Sequence, residues 1–189
     1  MTVFVAVTGA SGSIYAHRAM AALAGAGVEV WATATLTARA VAQHELGFEA
    51  EALGAEAASR WFAPDDLTAP PASGSSCADA MLVIPCSMGT LGRIAAGTAD
   101  TLITRAADVC LKERRPLVLV TREAPLNLIH LRNMTTVTEA GGIVLPACPH
   151  FYANPKDVHD LVDTVIGRAL AHLGAPDAHQ PRWSPPAAP

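Results

Sequence analysis

Residues 104–123 read TRAADVCLKERRPLVLVTRE, and the rest of the chain is read outward from this stretch. Its first half sets Ile103, Ala106, Ala107, Val109, Cys110 and Leu111 among charged residues, the pattern of a helix with one buried side. Pro116 then opens Leu117-Val118-Leu119-Val120, which is too short for a helix and rich in branched side chains. Such a run predicts a parallel strand covered on both faces. Arg122 and Glu123 fall just past the strand's carboxyl end, where open α/β sheets bind their ligands. Five of the thirteen Lys and Arg residues lie here: Arg105, Lys112, Arg114, Arg115 and Arg122. Arg105 and Lys112 are seven residues apart, two helical turns, and share one stripe of the helix. Arg114 and Arg115 read as a solvated basic helix end. Arg105 sits among apolar residues and needs an anionic partner to offset its desolvation. The cluster suggests a phosphorylated ligand.

The whole chain fits a single domain: 189 residues, 51% apolar and 16% charged, with mean hydropathy +0.29. No apolar run is long enough to predict a membrane span. The apolar excess therefore predicts subunit contacts in a homo-oligomer. Net charge is −4, which argues against a nucleic-acid footprint. The amino terminus lacks the basic flank of a signal peptide and reads as the first strand. Cys77, Cys86, Cys110 and Cys148 show no CxxC spacing and read as reduced, small core residues of a cytoplasmic protein. The seven histidines show no metal-binding spacing, so no metal site is expected.

From the amino end, Val3–Val7 forms an apolar strand running into Thr8-Gly9-Ala10-Ser11-Gly12-Ser13 and a helix over about 14–23. This turn either presents backbone N–H groups and a helix N-terminus to a phosphate, or is an ordinary tight turn with Ser as helix cap. Its G-x-x-G spacing matches neither a dinucleotide fingerprint nor a P-loop. A second strand over 28–34 ends at Thr35. The helix that follows carries Glu45 near its far end, by itself an ordinary surface carboxylate. Residues 50–60 read as Ala-rich helix, with Trp61-Phe62 a short strand. Residues 64–76 are the one long loop signal, either functional or a plain exposed connection. The third clear strand spans 80–84, with a helix over 91–96. Between them, Ser87 and Thr90 either bind a ligand or cap that helix. A helix is expected over 125–139 and a last strand over 143–145. A loop holding His150, Phe151 and Tyr152 leads to a closing helix over 156–173 that includes Arg168. Residues 1–173 form the domain and 174–189 a Pro-rich tail in which Trp183 suggests docking. Alternating apolar strands and helices predict a three-layer α/β/α, Rossmann-like (flavodoxin-like) fold with a parallel sheet.

In order and spacing, VTGASGSIYA, the Glu45 helix, ASGS at 72–75, LVIPCSMGTL, TRAADVCLKERRPLVLVTRE, APLNLIHLRNM and the PHFY segment closely resemble the UbiX-type flavin prenyltransferases. The resemblance implies an enzyme that joins a dimethylallyl group from dimethylallyl phosphate to N5 and C6 of reduced FMN. Its product would be prenylated FMN, destined for a UbiD-type decarboxylase. It further implies FMN contacts from Gly9, Ala10, Ser11, Thr35, Ser87, Met88, Gly89, Thr90 and Arg122. Arg105, Lys112, Tyr152 and Arg168 would hold the isoprenyl phosphate, and Ser11, Glu45 and Glu123 would handle protons. A guanidinium and ammonium clamp can stabilise departing phosphate without a metal.

The sequence departs from the family pattern at Ser76-Cys77, where many relatives place an aromatic, and at Gly89, where some carry Lys. Lys112 precedes the strand over 117–120 and Arg122 follows it, roughly 15–20 Å away at strand rise. One compact ligand would not reach both in one chain, which predicts an active site between subunits and agrees with the family's dodecameric habit. The alternatives are a flavin-dependent cysteine decarboxylase and a non-catalytic flavin carrier. The first would place a His in the loop over 70–76, which has none.

Overall fold

The computed structural model describes residues 1–47, 52 and 57–176. Six parallel strands form one sheet: β1 (Thr2–Val7), β2 (Glu29–Ala34), β3 (Ala58–Trp61), β4 (Ala80–Cys86), β5 (Leu117–Thr121) and β6 (Ile143–Pro146). Their order across the sheet is β3-β2-β1-β4-β5-β6. The chain reverses its direction of travel across the sheet between β1 and β4, and at such a switch point the loops splay apart and leave a crevice. Without the short edge strand β3, the order of the other five is that of flavodoxin.

The helices are α1 (Ser13–Gly25), α2 (Leu36–Leu46), α3 (Met88–Ala95), α4 (Leu102–Lys112), α5 (Leu128–Glu139) and α6 (Val158–Leu173). Alternate side chains of the central strands feed two cores, one on each face of the sheet. Val3, Val5 and Val7 with Leu82, Ile84, Val118 and Val120 pack under α1 and α6. Phe4, Ala6, Met81, Val83, Leu117 and Leu119 pack under α3 and α4. Because β4 and β5 are buried along their whole length, the parallel strands read as unbroken apolar runs. Burial of each large side chain contributes on the order of 1.5–3 kcal/mol. The α1 and α6 layer is further tied by an ion pair between Arg18 and Asp163.

The organising stretch folds as its sequence predicts, helix then buried strand. Five expectations need correction. Residues 58–60, expected as helix, instead open β3, which ends at Trp61, the first residue of the expected short strand: their pattern is half-exposed strand at the sheet edge, where no neighbour demands continuous apolarity. The rest of the predicted 50–60 helix, apart from residues 52 and 57, lies outside the described residues. The helix expected from 125 begins at Leu128, because Asn127 caps it by accepting the His130 N–H at 2.9 Å. The helix expected from 91 begins three residues earlier, with Ser87 as its cap. The long loop contains a single 3-10 turn, Pro70–Ala72. Cys86 and Cys110 are buried as expected, but Cys148 is exposed. Among the described residues, no helix is long and apolar enough to cross a membrane.

Candidate active site at the topological switch point

The crevice is held open by a buried hydroxyl. Thr8, 1% exposed at the end of β1, donates its hydroxyl to the Pro85 carbonyl at 2.7 Å and accepts the Ser87 N–H at 2.8 Å. One side chain thus fixes the first turn relative to the fourth strand and aims Ser87. Above it lies a cavity of about 330 Å³ lined by Gly9, Thr35, Thr37, Ser87, Thr90 and Thr101, among others. Three of these are helix N-caps. Thr35 accepts the Ala38 N–H at 3.1 Å, Ser87 the Thr90 N–H at 3.4 Å, and Thr101 the Thr104 N–H at 3.3 Å. The N-termini of α2, α3 and α4 therefore open on one hydroxyl-rich cleft, and their dipoles make it favourable to an anion. Asp100 moderates that potential from the rim, where it faces Arg93 at 3.6 Å.

Gly9 is required by crowding: a Cβ there would lie 2.5 Å from Thr37 Cγ2. The backbone of the first turn thus packs directly against the Thr37 side chain at the start of α2, and both line one wall of the cleft. The hydroxyls, the helix ends and this wall suit a flavin mononucleotide, whose phosphate needs donors and whose ring needs close backbone approach.

The N-terminus of α1 does not present itself to a phosphate. Its cap is Gly12, with φ 109° and no side chain to offer. Glu45 of α2 takes that place: its carboxylate accepts the Gly12 N–H at 3.0 Å and the Ser13 N–H at 2.8 Å. Both open alternatives for this turn are thereby corrected, since the cap is neither Ser nor a ligand anion but a carboxylate 33 residues away in sequence. Partial burial works to raise the Glu45 pKa, but hydrogen bonds from the Ser11 side chain and the Ser13 and Gly12 N–H groups outweigh it and leave it lowered. Glu45 is therefore ionised at neutral pH, with the Ser11 side chain in direct contact.

Arg122, past the end of β5, reaches back to donate Nε–H to the Ser11 carbonyl at 3.0 Å. It closes the same turn from the other side. Glu123 is exposed and its Oε1 accepts the next residue's N–H at 3.1 Å. Ala10 and Met88 are nearly buried, and Met88 belongs to the α3 and α4 core. Met88 therefore has only its backbone to offer a ligand. Gly89 leaves open space near Arg93.

The expected phosphate grip is divided. On α4, Arg105 donates Nε–H to the Ala72 carbonyl at 3.1 Å and pairs with Asp108 at 2.6 Å. Asp108 is the anionic partner that its apolar setting calls for. Lys112, on the same stripe, forms an ion pair with Glu113, and its ammonium lowers the Glu113 pKa. Arg168 lies on α6, exposed beside a cavity of about 330 Å³ at the β6 edge. Tyr152 stacks on His150, ring centroids 3.9 Å apart. His150 in turn docks on α6 by donating its backbone N–H to Thr164 at 3.3 Å. Helices α4 and α6 belong to cores on opposite faces of the sheet. The four residues do not meet within one chain. Trp183 lies outside the described residues.

Sequence reading missed Thr8, Thr37, Thr101 and Thr104. Threonines at strand ends and before helices carried the cap signal, but only the sheet order brings three caps to one cleft. Asp108 and Glu113 stand beside Arg105 and Lys112 in the sequence, and the structure shows that they pair with them.

The flavoprotein family model matches residues 1–170. The flavin prenyltransferase UbiX of Methanothermobacter thermautotrophicus is 48% identical over 182 residues, covering 96% of this chain and 95% of that protein. A crystal structure of AnUbiX in complex with FMN and dimethylallyl pyrophosphate superposes with a TM-score of 0.91 at 41% identity, covering 97% of each chain. A dodecameric FMN-dependent Ubix-like decarboxylase from Escherichia coli O157:H7 gives 0.92 at 40% identity, covering 98% of this chain and 100% of that one. With identity of this order spread over nearly the full length of both partners, the chain belongs to the flavoprotein family and, within it, to the UbiX flavin prenyltransferases.

Proposed function

We propose that this chain is a metal-independent flavin prenyltransferase that joins the dimethylallyl group of dimethylallyl phosphate to N5 and C6 of reduced FMN. The observation that carries this reading is the ionised Glu45 carboxylate seated on the first turn beside Ser11, next to a cleft suited to a flavin phosphate. A flavin carrier needs the cleft and the α1 cap that Glu45 provides, but has no use for phosphate-gripping cations such as Lys112 and Arg168. The oxidative cysteine decarboxylase reading would need a His in the loop over 70–76, which has none.

Reduced FMN, when bound, supplies the nucleophilic N5 and C6. Gly9, Ala10, Ser11, Thr35, Ser87, Met88, Gly89, Thr90 and Arg122 would hold it, and the N-termini of α2, α3 and α4 at the cleft would supply donors suited to its phosphate. Arg105, Lys112, Tyr152 and Arg168 grip the isoprenyl phosphate and stabilise its charge as it departs. Glu45 accepts a proton through Ser11, and Glu123 serves as a second proton-handling group. The α4 and α6 cations occupy opposite faces of one sheet. A complete phosphate grip therefore draws residues from neighbouring subunits, which supports a homododecamer of the kind formed by the Escherichia coli relative. The product, prenylated FMN, passes to a UbiD-type decarboxylase in the cytoplasm.

The test is to incubate the protein anaerobically with reduced FMN and dimethylallyl phosphate and measure the mass of the extracted flavin. A gain of one isoprenyl unit is expected. Unchanged FMN overturns the reading in favour of a carrier.

A further inference from the structure

Arg105 and Lys112 each come with an anion from α4 or its C-cap: Asp108 within the helix and Glu113 at its end. Arg105 is anchored on two edges, by the Ala72 carbonyl at 3.1 Å and by Asp108 at 2.6 Å. Among the described residues, its Nη2 makes no hydrogen bond and is left for a ligand. Lys112 and Glu113 are pressed against the neighbouring loop: a Cβ at Gly74 would overlap Glu113 Oε1 and come within 2.8 Å of Lys112 Nζ. Both ion pairs thus lie along the same loop, at Ala72 and Gly74, and are not scattered round the helix. All four side chains are roughly one-third to one-half exposed, so an entering ester can reach them.

We propose that Asp108 and Glu113 are specificity-determining residues: resident counter-ions that share Arg105 and Lys112 with the donor's phosphate and tune the clamp to a monophosphate over a diphosphate leaving group. The inference rests on the prenyltransferase reading above. Its physical basis is charge balance. The net charge of the two cations and two carboxylates is zero, so this wall stabilises an ester's charge through directed, charge-assisted hydrogen bonds and adds little long-range attraction. A monophosphate carries about −2 at neutral pH, and a diphosphate carries about one charge more. That extra charge meets two carboxylates and no unmatched cation on this wall. Neutralising either carboxylate leaves one cation uncompensated and favours the more highly charged donor. For one unit of charge across a half-solvated gap, the change in preference is on the order of three- to tenfold.

Discrimination is measured as the ratio of kcat/KM for dimethylallyl diphosphate to that for dimethylallyl monophosphate, following prenylated flavin by mass. The expected result is that Asp108→Asn and Glu113→Gln each raise this ratio about three- to tenfold, and that Asp108→Glu returns it to the wild-type value. A mere role in holding the cations would depress both donors in proportion and leave the ratio unchanged, which overturns the proposal. If Asp108→Asn does not fold, Glu113→Gln, at a half-exposed side chain, decides the matter alone. A wild-type protein that prenylates FMN with neither donor overturns the prenyltransferase reading itself. An active wild type with an unmoved ratio overturns only the counter-ion role.

Discussion

Replacing Glu45 by Ala removes the acceptor that closes α1. In the wild type its carboxylate takes the Gly12 and Ser13 N–H groups at 3.0 and 2.8 Å, and Gly12 has no side chain to compensate. Charge-assisted bonds of this kind are worth about 1.5–3 kcal/mol each when buried. Glu45 is largely exposed, so water takes over part of the work and the loss falls to about 1–2 kcal/mol, the range for a lost N-cap. For a chain of this size that lowers Tm by roughly 2–8 °C. The pH dependence is more diagnostic. Glu45 has a lowered pKa in the folded state, so its contribution is fully present above the unfolded value near about 4.3. It is lost as the pH falls through the lower folded value. The difference in stability between wild type and Glu45→Ala should be full at neutral pH and shrink below about pH 4. Glu45→Gln, which keeps one acceptor oxygen, should fall between the two. The assay is thermal unfolding at fixed protomer concentration across pH, since assembly couples to stability. A Glu45→Ala protein as stable as wild type, or a deficit that does not change with pH, refutes the capping role.

Three further outcomes follow from the same site. Thr8→Val keeps the shape but leaves the Pro85 carbonyl and the Ser87 N–H without their shared partner. It should cost about 2–4 kcal/mol and weaken FMN binding, checked by denaturation and flavin titration. Gly9→Ala puts a methyl 2.5 Å from Thr37 Cγ2; a displaced Thr37 should weaken FMN binding about tenfold, measured by fluorescence quenching. Burial pushes the Cys86 and Cys110 thiols up to about 12, so both should resist alkylation near about pH 8 until the protein unfolds, read by peptide mass.

The fold was legible because the parallel sheet writes itself as unbroken apolar runs. Residues 80–84 and 117–120 admit no other use in a chain of this length. β3 was misread because an edge strand with one solvent side, Ala58–Trp61, loses that signature. At the site, the residues that line the cleft through local motifs were legible: Gly9 in the first turn, Thr35, and Ser87 with Thr90. What the sequence hid was every long-range partnership. Glu45 looks like any helical carboxylate until α2 folds beside α1. Thr8 looks like a strand-end threonine until β4 lies next to β1. Arg105 and Lys112 share a helix stripe, as their spacing states, yet nothing local says that Arg168 belongs to the opposite layer.

That separation is the physical claim on which the proposed mechanism turns, and complementation between inactive chains tests it most directly. Lys112→Ala and Arg168→Ala are each expected to abolish prenylation, through opposite faces of the sheet. Co-expressed and purified as mixed oligomers, they should regain prenyl transfer, because some interfaces then pair an intact Lys112 with an intact Arg168 from a different chain. Mixed oligomers that assemble fully yet stay as inactive as either parent would mean that one chain supplies the whole grip, contrary to the arrangement proposed.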